Sequence, residues 1–231
     1  KVITDILRKN ADDRRCVLQM WDAGQDLGRT GKDVPCNMIA TFQIDQAKLN
    51  LTVFCRSNDI VWGCYGANAV QFGALLEYMA VQIGCFPGWY EQISVNWHGY
   101  LTTVNPLLEL PIIGSNPYRD GLVIDVRMPS DPYLLDRLID TLLVEVESKF
   151  THMPQIYYEL HPWAYTSYIV LKAHHLYKTL EAPYRFTEPL TLLTAAGYKA
   201  DWVVAAKEWI GRRYHKWQSA NGGTSIDATN H

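Results

Sequence analysis

An α+β fold is predicted by three features of this sequence. Alternating apolar residues, the mark of half-buried strands, run through CNMIATFQID and KLNLTVFCRSND in the first half. One long apolar stretch, GANAVQFGALLEYMAVQIG, is too long for a strand and reads as a buried helix over about 67–83. Beyond Tyr100 the character changes, and three later segments read as helices.

The elements follow in order. Val2, Ile3, Ile6 and Leu7 recur at helical spacing, so KVITDILRKN opens the chain as an amphipathic helix ending at NADD. RRCVLQMWDA reads as a strand, and GQDLGRTGKDVP, rich in glycine and polar residues, as a loop. The two alternating runs are joined by Gln46-Ala47, a hairpin connection without the usual glycine. The long apolar helix stops at Gly84, and GWYEQISVNWHGYL alternates as a further strand. DPYLLDRLIDTLLVEVESKF, HPWAYTSYIVLKAHHLYKTL and ADWVVAAKEWIGRRYHKW are helices. Three segments are expected: a mixed-sheet domain over 1–110, a mostly helical extension over 111–218, and a disordered polar tail over 219–231.

Composition narrows the function. Hydrophobic residues make up 48% and charged residues 19% of 231 residues, enough for a sizeable core. A net charge of −3 argues against broad nucleic-acid binding, which needs a basic face, but not against a local phosphate pocket. No apolar stretch has the length of a membrane span. The five cysteines fall in no paired metal spacing, so reduced thiols in the cytoplasm, and no metal, are expected. The sequence opens on a helix with no initiator Met, so an upstream segment is expected.

The chemistry-bearing residues cluster in short stretches. Cys36 follows a proline at a loop-to-strand boundary. Alone it could be a small core hydrophobe, yet strand pairing can bring Arg56 beside it, and a guanidinium favours the nucleophilic thiolate. Arg56, Ser57, Asn58 and Asp59 place a forked donor, a hydroxyl, an amide and a carboxylate on consecutive positions. The plainer reading of RSND is a turn. Arg14 and Arg15 form a basic pair that a continuous strand would aim at opposite faces and a strand start or bulge could bring together. His98 and Tyr100 sit two apart and share one strand face, which suits two contacts to one sugar hydroxyl. His174 and His175 diverge by roughly 100° on a helix and make a poor metal pair.

In this order, DDRRCVLQMWD, PCN, CRSNDIVWG, ANAVQFGALLEYMAVQIG and WHGY resemble the thymidylate synthase and pyrimidine hydroxymethylase superfamily, over about residues 1–100. The resemblance implies a thymidylate synthase-like mixed sheet, with residues 1–110 as the C-terminal two-thirds of the catalytic domain. It implies that Cys36 attacks C6 of a pyrimidine nucleotide with Arg56 at its side, and that Asn58 belongs to the catalytic set. It implies Arg56 and Ser57 on the substrate phosphate, and Arg14 and Arg15 crossing a homodimer interface to the partner's phosphate. Asn68 would read the pyrimidine edge if one inserted residue is allowed before it, while capping its helix remains the alternative. His98 and Tyr100 would bond the sugar 3′-hydroxyl, and Asp59 would contact the pterin of 5,10-methylenetetrahydrofolate.

Thiolate addition to C6 makes uracil C5 nucleophilic toward the folate's one-carbon unit. Hydride then gives a methyl group and water a hydroxymethyl group. Methylation of dUMP to dTMP is placed first, hydroxymethylation of a pyrimidine nucleotide second, and a non-catalytic nucleotide binder is the alternative from another class. The sequence departs from the synthase pattern at Asn37, where a histidine is usual, and at Asn58, where a cysteine is usual. Both departures resemble the phage-type hydroxymethylases. The first third of the domain, which carries the general-base glutamate, and the short C-terminal segment that closes over folate have no counterpart here.

Overall fold

The computed structural model describes residues 1–31, 34–110, 116–151, 161–197 and 199–221. The chain forms two compact units, Lys1–Ile113 and Gly114–His231.

The first unit is built on a four-stranded sheet. Its strands are β1 (Val17–Gln19), β2 (Asn37–Asp45), β3 (Lys48–Cys55) and β5 (Phe86–Ser94), in the order β1-β2-β3-β5. The β1–β2 and β2–β3 pairs are antiparallel and β3–β5 is parallel, so the sheet is mixed. A second, two-stranded sheet pairs β4 (Asn58–Asp59) with β6 (Trp97–His98) in parallel.

Strand alternation sets the core. Leu49, Leu51, Val53 and Cys55 of β3 are fully buried, and each such aliphatic side chain contributes about 1.5–3 kcal/mol. The register pairs Leu51 with Tyr90, Val53 with Gln92 and Cys55 with Ser94, so these share the inner face. Helix α3 (Asn68–Ile83) packs there through Phe72, Leu76, Met79 and Ala80. Its opposite side carries exposed Val70, Gln71 and Ala74. The helix is therefore buried along one stripe, not all round as its apolar sequence implies. Gly84 ends it at φ 87°, a left-handed conformation that favours glycine. Helix α1 (Val2–Lys9) buries Leu7 in the same core, and Arg8 Nη2 donates to the Gln82 carbonyl oxygen of α3.

Several local expectations are corrected. The strand expected across 14–23 contracts to Val17–Gln19, followed by a short helix α2 (Ala23–Asp26) capped by Asp22. Helix α4 (Leu101–Leu108) forms although Pro106 lies inside it. The Gln46-Ala47 turn achieves its hairpin with both residues at positive φ, 47° and 60°. That is the twist a two-residue hairpin needs, at a steric cost glycine would spare.

In the second unit the described helices are α5 (Pro132–Glu147), α6 (Pro162–Thr179), α7 (Tyr184–Ala195) and α8 (Asp201–Ala220). Leu138 and Leu142 of α5, Ala164, Tyr168, Ile169 and Ala173 of α6, Phe186 and Leu193 of α7, and Val203 and Ile210 of α8 make one core. Helix α7 falls within the extension expected to be mostly helical, and it forms with Pro189 inside it and buried. Helix α8 continues through Ala220, so the start of the expected tail is helical; residues 222–231 lie outside the described residues. No described helix is long and apolar enough to cross a membrane.

Candidate functional site

Cys36 and Arg56 meet because β2 and β3 are paired. Asn37 lies opposite Cys55, and the Arg56 backbone N–H donates to the Cys36 carbonyl oxygen at 2.9 Å. The register shifts between Asn37 and Ile39, a bulge at the strand start beside Cys36. The Arg56 side chain then folds back over the 34–36 segment. Its Nε donates to the Pro35 carbonyl oxygen at 2.9 Å and its Nη2 to that of Val34 at 3.1 Å. The same Nη2 lies 3.9 Å from the Cys36 Sγ. The Trp21 ring covers the guanidinium at 5.4 Å. Nothing in the sequence pairs Trp21 with Arg56, since the contact links residues 35 apart through the sheet.

Cys36 is the exposed thiol of the five free cysteines. Burial pushes the thiols of Cys16, Cys55 and Cys85 up, away from the reactive form. Among the cysteines, exposure and an adjacent guanidinium coincide at Cys36.

Asn58 and Asn68 lie behind this pair. Asn58 is 2% exposed, its Nδ2 donates to Gln92 Oε1 at 2.9 Å and Ser94 Oγ at 3.0 Å, and its Oδ1 accepts from Asn68 Nδ2 at 3.1 Å. These bonds commit both of its N–H groups to the protein, which suits holding neighbours in place. Asn68 opens α3, and its Oδ1 accepts from Asn37 Nδ2 at 3.2 Å. No side-chain cap bond forms at this helix start. Asn37 Oδ1 in turn accepts from the Cys55 thiol at 3.1 Å.

A wide, π-helical stretch over Ile60–Ala67, interrupted at Gly66, joins β4 to α3. Such a turn takes one residue more than an α-helical one and recurs at functional sites. It lies where the alignment of Asn68 demands one extra residue. Gly63 is required within it, because a β-carbon there would lie 2.3 Å from Asn58 Oδ1.

Asp59 caps this stretch: Oδ1 accepts from the backbone N–H of Val61 at 3.0 Å and of Trp62 at 2.5 Å. Its Oδ2 is buried and has no partner among the described residues. A lone buried carboxylate oxygen fits a ligand that brings its own N–H donor, as a pterin ring does. Trp62 beside it is 69% exposed and offers a ring to stack on. Ser57 is half-buried at the end of β3. His98 and Tyr100 meet edge to face at 5.3 Å, and His98 Nδ1 contacts Asn96 Oδ1 at 3.1 Å.

Arg14 and Arg15 occupy the turn before β1 and are both exposed. Arg15 is held by Asp13, Nη2 to Oδ2 at 2.6 Å and Nε to Oδ1 at 3.1 Å. The hydrogen bond from the Arg15 side chain, with a second from its backbone N–H, holds the Asp13 carboxyl at about 2. Both arginines lie in the first unit with the Cys36 cluster. No group of histidine, cysteine or carboxylate side chains among the described residues could hold a metal ion.

Known proteins match this chain in parts. Residues 1–131 match the family model for thymidylate synthase. A deoxyuridylate hydroxymethyltransferase of Pseudomonas phage M6 is 40% identical over 218 residues, 90% of this chain and 60% of that protein. A protein of the same name from Bacillus phage SP01 is 38% identical over 96 residues, 41% of this chain and 25% of that one. The chain thus spans 60% and 25% of the length of these two relatives. The crystal structure of thymidylate synthase from T4 phage superposes with a TM-score of 0.45 at 23% identity, covering 50% of this chain and 39% of that one.

Proposed function

The chain belongs to the thymidylate synthase family, and on that premise we propose that it modifies C5 of a deoxyuridylate nucleotide through a covalent bond from Cys36 to C6, giving a hydroxymethyl product. The observation that carries the chemistry is the exposed Cys36 thiol 3.9 Å from the Arg56 guanidinium. The sequence reading placed methylation first. The phage M6 relative, matched across 90% of this chain, favours hydroxymethylation instead.

The residues divide the work. Cys36 supplies the nucleophile, and Arg56 sets a positive charge beside it while fixing the 34–36 segment. Arg56 and Ser57 offer donors to the substrate phosphate. Asn68 keeps one N–H and one lone pair after its two bonds to neighbours, enough to serve a donor and an acceptor on the base. His98 and Tyr100 hold the sugar hydroxyl. Asp59 Oδ2 accepts from the pterin of 5,10-methylenetetrahydrofolate, which supplies the one-carbon unit when bound. The working form is a homodimer in the cytoplasm, with Arg14 and Arg15 on the phosphate of the partner's site. In support, Trp89 and Ile93 stand exposed on the sheet face away from α3, and all five cysteines are free thiols.

The test is trapping with 5-fluoro-dUMP and methylenetetrahydrofolate on the full-length protein. A covalent complex that survives denaturation and is lost in Cys36→Ser is expected. Binding without a covalent complex would point instead to a nucleotide-binding homologue. The mass of the product made from dUMP separates hydroxymethyl from methyl.

A further inference from the structure

The polar side chains behind the site form a directed chain. The Cys55 thiol donates to Asn37 Oδ1, Asn37 Nδ2 to Asn68 Oδ1, Asn68 Nδ2 to Asn58 Oδ1, and Asn58 Nδ2 to Gln92 Oε1. Gln92 Nε2 closes it on the Cys64 backbone carbonyl oxygen at 2.8 Å. Every amide along it can turn over and exchange its donor for its acceptor. One end cannot. A carbonyl oxygen only accepts, so Gln92 must present its NH2 group to Cys64. Its Oε1 must then face Asn58, Asn58 must show Oδ1 to Asn68, and Asn68 must show Nδ2 to Asn58.

The other contacts are neutral about direction. The Ser94 hydroxyl and the Cys55 thiol can each donate or accept. Burial pushes the Cys55 thiol up, which keeps it able to donate at the far end. The Tyr90 hydroxyl donates to the Asn68 backbone oxygen at 3.2 Å, which holds the residue without choosing its amide orientation.

We propose that Gln92 is a specificity-determining positioning residue, which fixes through Asn58 which atom of the Asn68 amide donates and which accepts. The residual N–H and lone pair of Asn68 are thereby presented in one handedness. A uracil edge offers an acceptor at O4 and a donor at N3, and a cytosine edge the reverse, so turning the amide over exchanges one preference for the other. This rests on Asn68 reading the base. The orientation of the Asn68 amide is then chosen by a side chain of β5, 24 residues further along the chain.

The relay is tested first without nucleotide. In the full-length protein labelled with ¹⁵N, Gln92→Met should speed hydrogen exchange of the Asn58 and Asn68 side-chain amides by at least about tenfold, since Asn58 then meets only the two-way Ser94 hydroxyl. Gln92→Glu, which still offers an acceptor to Asn58, should leave the orientation as it is. Gln92→Lys, which offers a donor, should reverse it, and the Glu–Lys comparison decides if the Met variant does not fold. Unchanged exchange in Gln92→Met overturns the relay. Calorimetric affinities for dUMP and dCMP give the second readout. The dUMP-to-dCMP ratio should fall by about tenfold in Gln92→Met and hold within about threefold in Gln92→Glu. A purely structural loss would weaken both nucleotides together, and an unchanged ratio in variants that bind both overturns the proposal. A wild type that binds neither nucleotide removes the functional reading, while the exchange measurement still decides the relay.

Discussion

Arg56 Nη2 lies 3.9 Å from the Cys36 Sγ while the same guanidinium bonds the carbonyl oxygens of Pro35 and Val34. One side chain therefore both charges the surroundings of the thiol and fixes the backbone that carries it. Arg56→Gln removes both effects. Alkylation of Cys36 by iodoacetamide at neutral pH, followed by peptide mass mapping, should slow by about fivefold, the scale of one charge at this distance in a watery setting. Arg56→Lys should fall between, keeping charge without the two-carbonyl grip. Rates equal to wild type in Arg56→Gln would show that the guanidinium does not act on the thiol.

The hairpin between β2 and β3 holds this pair in register, and its turn is strained. Gln46 and Ala47 have φ of 47° and 60°, a region that costs a residue with a β-carbon about 1–2 kcal/mol. Ala47→Gly should relieve part of that while loosening the unfolded chain, for a net gain of about 0.5 kcal/mol in urea unfolding. A loss of stability would mean the Ala47 methyl packs usefully, contrary to its exposed position.

The strands and most helices were legible because their patterns are local. β3 buries every second residue, and α5, α6 and α8 repeat at helical spacing. Helices α4 and α7 carry Pro106 and Pro189 inside them, and in α7 the cost is offset by burial of Phe186, Pro189 and Leu193, which the sequence does not display. The approach of Arg56 to Cys36 could be anticipated, because a short hairpin fixes which residues face each other. The amide relay could not. Its links join residues 31, 10 and 34 apart in sequence, and an asparagine in a turn-like RSND carries no sign that its amide is buried. Trp21 over Arg56 left no signal for the same reason.

Asp13 gives a pH dependence with a definite sign. Arg15 holds its carboxyl at about 2 in the folded protein, against about 3.9 for an aspartate in an unfolded chain. Between those values the unfolded state binds more protons, so the contribution of Asp13 is complete above about pH 4 and is lost as the pH falls toward 2. Urea unfolding across this window should show a shallower acid loss for Asp13→Asn than for wild type. Because Arg15 is 85% exposed, the difference should be small and shrink further in salt. Equal slopes would mean that the ion pair persists in the unfolded chain.

Asp59 separates a structural role from a ligand role within one side chain. Its Oδ1 caps the wide turn through the N–H groups of Val61 and Trp62, and its buried Oδ2 has no partner among the described residues. An unmatched buried oxygen costs free energy, and a site retains one where a ligand supplies the donor. Asp59→Asn keeps an oxygen for the cap and turns the other position into an N–H donor. Stability should therefore stay within about 0.5 kcal/mol of wild type. In the full-length protein the KM for methylenetetrahydrofolate should rise by at least about tenfold, because two donors would then face each other. The KM for dUMP should change by less than about twofold, since the nucleotide is assigned to other residues. If the folate KM is unchanged and stability falls instead, Asp59 acts only as a cap and the pterin is held elsewhere.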